Sequence, residues 1–290
     1  MAGGGPGLEQ VGLVTRPVQI IRPPSLSMWT ISEHVARLMQ SRDLIYTLTL
    51  HRISLRYKQS VLGYLWAVLH PVILMLLYTI IFSRIANVPT QGMPYPIFAF
   101  SALLPWTFFS NGLSGATVGL TAHSNLLSRV YFPREILPLS FVFAASVDFL
   151  IASGILVILM SYYGVHVTAS ALWGIPAILT LVVFLIGIAL FASALQVRFR
   201  DVGMAMPLIL QAWMFATPIA YSLTSVPKNL RYLYDLNPLV GIMETFRGAL
   251  LHGSSPDWML LAKSFVVSVV VAVASYAWFK RVEATFVDVI

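Results

Sequence analysis

Six predominantly apolar stretches, near residues 61–83, 97–120, 139–162, 172–197, 205–222 and 258–279, constrain this chain more than any other feature. Each is close to the roughly 20 residues that a helix needs to cross a hydrocarbon layer of about 30 Å. Soluble domains carry about a quarter charged residues, whereas 10% of these 290 residues are charged and 58% are hydrophobic. That balance excludes a soluble enzyme, and it excludes a disordered chain, which would be apolar-poor and charge-rich. The expected fold class is therefore an all-α polytopic membrane protein with six transmembrane helices. The absence of cysteine rules out a disulfide framework and a thiolate metal site. The net charge of +7 is scattered along the chain, unlike the concentrated basic face of a nucleic-acid binder.

Residues 1–31 hold a glycine run and Pro6, Pro17, Pro23 and Pro24, with no apolar signal-peptide core. They are expected to form a flexible cytoplasmic tail ahead of a single permease domain over 32–290. Between 32 and 58 the pattern turns helical. Tyr46, Leu50, Ile53 and Tyr57 share one face, while Arg52 and Arg56 lie one turn apart on another. This predicts an amphipathic helix in the membrane interface, apolar face down and arginines toward headgroups. Placing the tail inside puts thirteen lysines and arginines on the inner side and five on the outer side. The positive-inside rule favours that arrangement, so both termini are expected in the cytoplasm.

Two connections carry more than a turn. The inner loop 123–138 mixes Arg129 and Arg134 with Leu126, Leu127, Tyr131 and Phe132, a composition that suits either a membrane surface or a partner's groove. The outer segment 223–257 is divided by Asn237-Pro238 and predicts two short re-entrant helices. On the second of them, Glu244 and Arg247 stand three apart and can pair. Re-entrant backbone is tolerated where it lines a cavity or is buried in protein, which makes this segment the expected outer lid.

The chain has no Gly-Lys dipeptide, and so no phosphate-cradling loop of the Walker type. Signatures for metal-dependent glycosyl transfer or for a serine nucleophile are also missing. Near the span centres the titratable groups are Asp148 and His70, a thin relay for a proton-coupled carrier. Asp148 is expected to bond Ser146, Ser153 or a neighbouring helix, and His70 a carbonyl freed by the kink at Pro71. The aromatic residues Tyr64, Trp66, Trp106, Phe108, Phe109, Trp213, Phe215 and Tyr221 admit two readings. They are interface anchors and core rings, or they stack on sugar faces along a pathway.

Four blocks in register bear a family likeness. The run 42–83 (RDLIYTLTLHRISLRYKQSVLGYLWAVLHPVILMLLYTIIFS), the block 94–110 (PYPIFAFSALLPWTFFS), the loop 130–140 (VYFPREILPLS) and the run 198–222 (RFRDVGMAMPLILQAWMFATPIAYS) resemble type-2 ABC exporter permeases of bacterial surface polysaccharides. These are the Wzm-like transmembrane subunits of the O-antigen and teichoic-acid family. The segment 236–251 (LNPLVGIMETFRGALL) is similar to that family's outer re-entrant pair, and only the proline- and glycine-rich tail departs from the pattern.

The resemblance implies a homodimer in the bacterial inner membrane, bound to two copies of a separate ABC ATPase. No cofactor is then expected on this chain, because ATP and Mg belong to the partner. It also implies a cargo of polysaccharide on undecaprenyl diphosphate. Spans one, two and five would line the channel with Tyr64, Trp66, Trp106, Phe108, Phe109, Trp213 and Phe215. Arg52, Arg56 and Lys58 would guide the lipid diphosphate at the inner leaflet. Arg129, Tyr131, Phe132, Arg134 and Glu135 would dock the ATPase, and Asn237, Pro238, Glu244 and Arg247 would sit in the outer lid. Teichoic-acid or capsular export within the same family, a small-molecule ABC permease, a proton-coupled carrier and a membrane glycosyltransferase are the competing expectations.

Overall fold

In a computed structural model of the chain, residues 38–58, 60–124 and 132–286 are described. The expected tail, the first residues of the interface helix, and Arg129 and Tyr131 of the inner loop lie outside them. Among the described residues the chain is helical throughout, with no strand. The main helices are α1 (Arg42–Tyr57), α2 (Leu65–Tyr78, continued by a π-helical stretch Thr79–Ile85), α3 (Tyr95–Gly119), α4 (Ile136–Tyr162), α5 (Gly174–Arg198), α6 (Asp201–Phe215), α7 (Arg231–Asp235), α8 (Pro238–Arg247) and α9 (Trp258–Val282).

Among the described residues, four helical segments are long and apolar enough to cross a membrane: Leu65–Ile85, Ile136–Tyr162, Ala169–Arg198 and Trp258–Val282. They coincide with the first, third, fourth and sixth expected spans. The second expected span is α3, a helix of 25 residues carrying Ser101, Thr107, Ser110, Asn111, Ser114 and Thr117. It tolerates that polarity because protein rather than lipid surrounds it. Nineteen of its residues are buried, and α2, α4, α5, α6 and α8 all pack on it. The serine and threonine hydroxyls along it mostly bond carbonyls of their own helix, as Ser101 does to Phe98 (2.8 Å) and Thr117 to Leu113 (2.7 Å).

The fifth expected span, near 205–222, needs correction. Its helix starts earlier, at Asp201, and stops at Phe215. Fifteen residues rise about 22 Å, short of a hydrocarbon layer of about 30 Å. The residue before a proline is pushed out of the α region, and Thr217-Pro218 accordingly ends the helix, leaving 216–222 irregular.

One core unites the bundle around α3, with Phe98, Phe100, Phe109, Leu113, Phe184, Leu185, Ile242 and Met243 at its centre. A smaller cluster at the other end joins Leu120, Phe132, Ile136, Leu190, Phe279 and Phe286. Close approach rather than side-chain bulk holds α5 to α9. A β-carbon on Gly187 would lie 2.7 Å from the Ala272 Cα, so the two backbones touch there. Small residues at such crossings are how membrane helices gain packing without a hydrophobic driving force.

Candidate functional site

The interface helix turns its cations inward. Arg52 lays its guanidinium over the Phe141 ring, 3.4 Å from the centroid, and its Nε donates to Ser140 Oγ at 2.6 Å. Phe141 is seated against Gly115 and Gly119, where a β-carbon would strike the ring. Burial pulls the Arg52 guanidinium down to about 10, which still leaves it charged at neutral pH. One turn on, Arg56 forms an ion pair with Asp148, and the Tyr57 hydroxyl donates to the other Asp148 oxygen at 2.6 Å. Burial, then the Asp148 carboxylate, push the Tyr57 phenol up to about 12.

These contacts correct the expected orientation of α1. Of the stripe expected to face the membrane, Tyr46 and Leu50 are exposed, but Ile53 and Tyr57 are buried in the bundle beside Thr49. The arginines face the bundle and not headgroups, because α4 supplies an aromatic ring and a carboxylate two turns apart. Asp148 lies about 18 Å along α4 from its start, so α1 is braced against the middle of a span. Of the serines expected to bond Asp148, Ser146 and Ser153 instead bond the Val142 and Phe149 carbonyls of their own helix. Of the three cations expected to guide a lipid diphosphate, Lys58 alone is exposed without an ion pair among the described residues.

The seven aromatic candidates divide by place. Tyr64, Trp66 and Phe215 are about half exposed on the outside of the protomer. Trp106, Phe108 and Phe109 are buried within it, since α3 is wrapped by its neighbours. Phe109 stacks on Phe184 with centroids 5.8 Å apart and meets Trp213 edge-on at 5.3 Å. In the single protomer these are core rings. Beside them, between α2, α3, α4 and the end of α1, opens a groove of about 580 Å³ lined in part by Trp66, His70, Asn111, Ser114 and the Arg56–Asp148 pair. His70 faces this groove. Among the described residues its imidazole bonds no carbonyl near Pro71.

At the opposite end a polar latch closes the break after α6. Asn237 caps α8 by accepting from Leu239 N at 3.2 Å. Its oxygen also accepts from the Trp213 indole at 3.2 Å, and its amide donates to Thr217 Oγ1 at 3.0 Å. Pro238 occupies the first turn of α8, where a missing N–H costs nothing. Arg247 is fully buried, yet donates to the Pro218 and Ile219 carbonyls at 2.9 Å each and pairs with Glu244 at 3.4 Å. The face of Phe98 lies 3.9 Å from its guanidinium. The Glu244–Arg247 pair is thus as the spacing predicts. What the spacing does not show is that Arg247 supplies the donors that the irregular 216–222 backbone requires. The signal that could find it is an arginine on a largely apolar helix, downstream of a proline-broken span.

At the inner loop, Phe132, Arg134 and Glu135 are taken up within the chain. Phe132 is buried against the cluster of Phe279 and Phe286. Arg134 donates to the Glu283 carbonyl. Glu135 is 1% exposed and ion-paired with Lys280 of α9. Glu135, a docking residue by the resemblance, is instead a buried brace between α4 and α9. Breaking such a pair from one side strands a buried charge at a cost of about 3–5 kcal/mol. Lys280→Met will accordingly lower the melting temperature of the detergent-solubilised chain sharply, and adding Glu135→Leu will restore most of it.

Residues 43–251 match the model of the ABC-2 type transporter family, a span that takes in α1 through α8 and the latch. The chain belongs to that family. It is a transport subunit of the membrane and not an enzyme, with ATP hydrolysis assigned to a separate ABC ATPase. Among curated relatives, the O-antigen export system permease protein RfbA of Myxococcus xanthus is 30% identical over 257 residues, 88% of this chain and 98% of the relative. RfbA of Klebsiella pneumoniae is 26% identical over 249 residues, 86% and 95% of the two chains. The polysialic acid transport protein KpsM of Escherichia coli is 27% identical over 220 residues, covering 72% and 81%.

Proposed function

We propose that the chain is the membrane subunit of an ABC exporter that moves a lipid-linked polysaccharide of the O-antigen type across the bacterial cytoplasmic membrane. The observation carrying this is the near end-to-end similarity to O-antigen export permeases, which exceeds the partial coverage of the polysialic acid transporter. Capsular or teichoic-acid export is the neighbouring reading. The absence of a Walker loop from the sequence fits a subunit driven from outside.

In this reading two protomers enclose the channel, and α2 through α9 supply six crossings, with α6 and residues 216–222 together making the fifth. The helix pair α7–α8 forms the outer lid, and both termini face the cytoplasm. Of the aromatic candidates, Tyr64, Trp66 and Phe215, about half exposed on the protomer surface, meet the glycan in this reading. Lys58, exposed and without an ion pair among the described residues, guides the diphosphate. Docking of the ATPase falls to the inner loop and to α1, which is braced on α4 through Asp148, so that a push on α1 reaches the middle of the bundle.

Affinity purification in mild detergent from the native host, with mass spectrometry of protein and lipid, tests this. A stoichiometric ABC ATPase with undecaprenyl-linked sugar is expected. The ATPase with a different lipid or small molecule would move the cargo assignment elsewhere in the superfamily, and a well-folded sample with neither would overturn the reading.

A further inference from the structure

The groove between α2, α3 and α4 holds polar groups that the protomer leaves unanswered. Asn111 and Ser114 lie on the one strip of α3 that is not buried, and both line the groove. Among the described residues neither side chain has a hydrogen-bond partner, although every other serine and threonine of α3 bonds a carbonyl. His70 faces them from α2 in the same condition. Asn111 and Ser114 are half-buried and His70 is exposed in the protomer, and unpaired amide, hydroxyl and imidazole groups turned toward lipid are costly unless something polar meets them. The half-exposed Trp66 ring borders the same space.

Charge narrows what that something is. The guanidinium at the groove is already neutralised, because Arg56 is paired with Asp148. A phosphate would find no free cation here, and an acyl chain would leave three polar groups dry. At about 580 Å³ the space falls within the range of about 300–1,000 Å³ usual for small-ligand sites. We infer that this groove is a carbohydrate subsite in each protomer, in which Asn111, Ser114 and His70 hydrogen-bond sugar hydroxyls and Trp66 packs on a sugar face. The inference rests on the polysaccharide-export reading and deepens it: part of the glycan is held off the axis between protomers, by the bundle itself.

The chain has no cysteine, so single-cysteine labelling reads the groove directly in the complete transporter. Asn111→Cys and Ser114→Cys, with Val157→Cys on the exposed face of α4 as reference, are each labelled with a membrane-impermeant maleimide in inverted membrane vesicles. The vesicles come from host cells that make the lipid-linked glycan and from cells blocked in its synthesis. Labelling at 111 and 114 without glycan, falling about tenfold or more when glycan is present, is expected, with position 157 unlabelled in both. Equal labelling with and without glycan would overturn the subsite, as would no labelling at 111 and 114 in either, which would mean a groove filled by lipid or by the partner protomer. In parallel, Asn111→Leu with Ser114→Ala is expected to reduce export roughly three- to tenfold for each hydrogen bond lost, with assembly unchanged. Wild-type export with no protection at 111 and 114 would remove the subsite and keep the transporter. Glycan display independent of the chain would remove the underlying reading itself.

Discussion

Replacing Arg247 with methionine will prevent the chain from accumulating in a folded form. The guanidinium is buried and donates to the Pro218 and Ile219 carbonyls at 2.9 Å each while neutralising Glu244. Methionine fills a similar volume but leaves two carbonyls without partners and the Glu244 carboxylate without its counter-charge, held only by Leu223 N. Each buried acceptor left unsatisfied costs about 1–3 kcal/mol, and the loss of the counter-charge beside the partly exposed Glu244 adds to it. The sum approaches the roughly 5–15 kcal/mol that a typical domain has in total. Arg247→Lys will fall between the two, since an ammonium cannot reproduce a fork reaching two carbonyls at once. Glu244→Gln will be the mildest, because the amide oxygen can still accept from Leu223 N. Folded yield after detergent extraction, followed by thermal melting of whatever folds, orders the three variants, and a methionine variant that accumulates and melts with the wild type would remove Arg247 from this structural role.

The second large effect separates stability from coupling. Asp148→Ala removes the acceptor for both Arg56 and Tyr57. Hydrogen bonds to a charged group contribute about 1.5–3 kcal/mol, which corresponds to about a ten- to hundredfold shift in how often α1 lies docked on α4. The helix bundle does not depend on that contact, because Arg56 is partly exposed and can turn to water. Amide hydrogen exchange over Arg42–Tyr57 will therefore quicken by about that factor while α5 stays protected, and ATP-driven export will fall with it. Asp148→Asn keeps an acceptor for Tyr57 and will retain most of the docking and of the export. A proton-coupled carrier would behave otherwise, losing all transport with the asparagine variant. Uniform loss of protection across the bundle in Asp148→Ala would show that the contact serves folding rather than coupling.

Much of the architecture is legible in the sequence because lipid leaves little choice. Long apolar runs must become helices with every backbone group bonded internally, and four of the six expected stretches are found as such. The failures share a physical cause. Period and composition report how much of a helix is apolar, not which distant residue meets its polar face. Arg52 and Arg56 read as headgroup-facing until Phe141 and Asp148, some ninety positions away, are brought beside them. Glu135 falls among the docking residues that the resemblance implies until Lys280 reaches it from the last helix. The aromatic residues of α3 admit both a core and a channel-lining reading because nothing local says that α3 is enclosed on nearly every side. The Glu244–Arg247 pair is legible because it is local, three positions apart on one helix.

Export of a lipid-linked polysaccharide is open to direct test by deleting the chain in its host and complementing the deletion. Surface glycan and the lipid-linked polymer retained in the cytoplasmic membrane are measured in the same cells. Loss of the surface glycan is expected, with build-up of undecaprenyl-linked polymer on the inner face. Both are reversed by the wild-type chain, and only weakly by Asp148→Ala. Surface glycan at normal levels in the deletion strain, with no retained polymer, would contradict a role in its export.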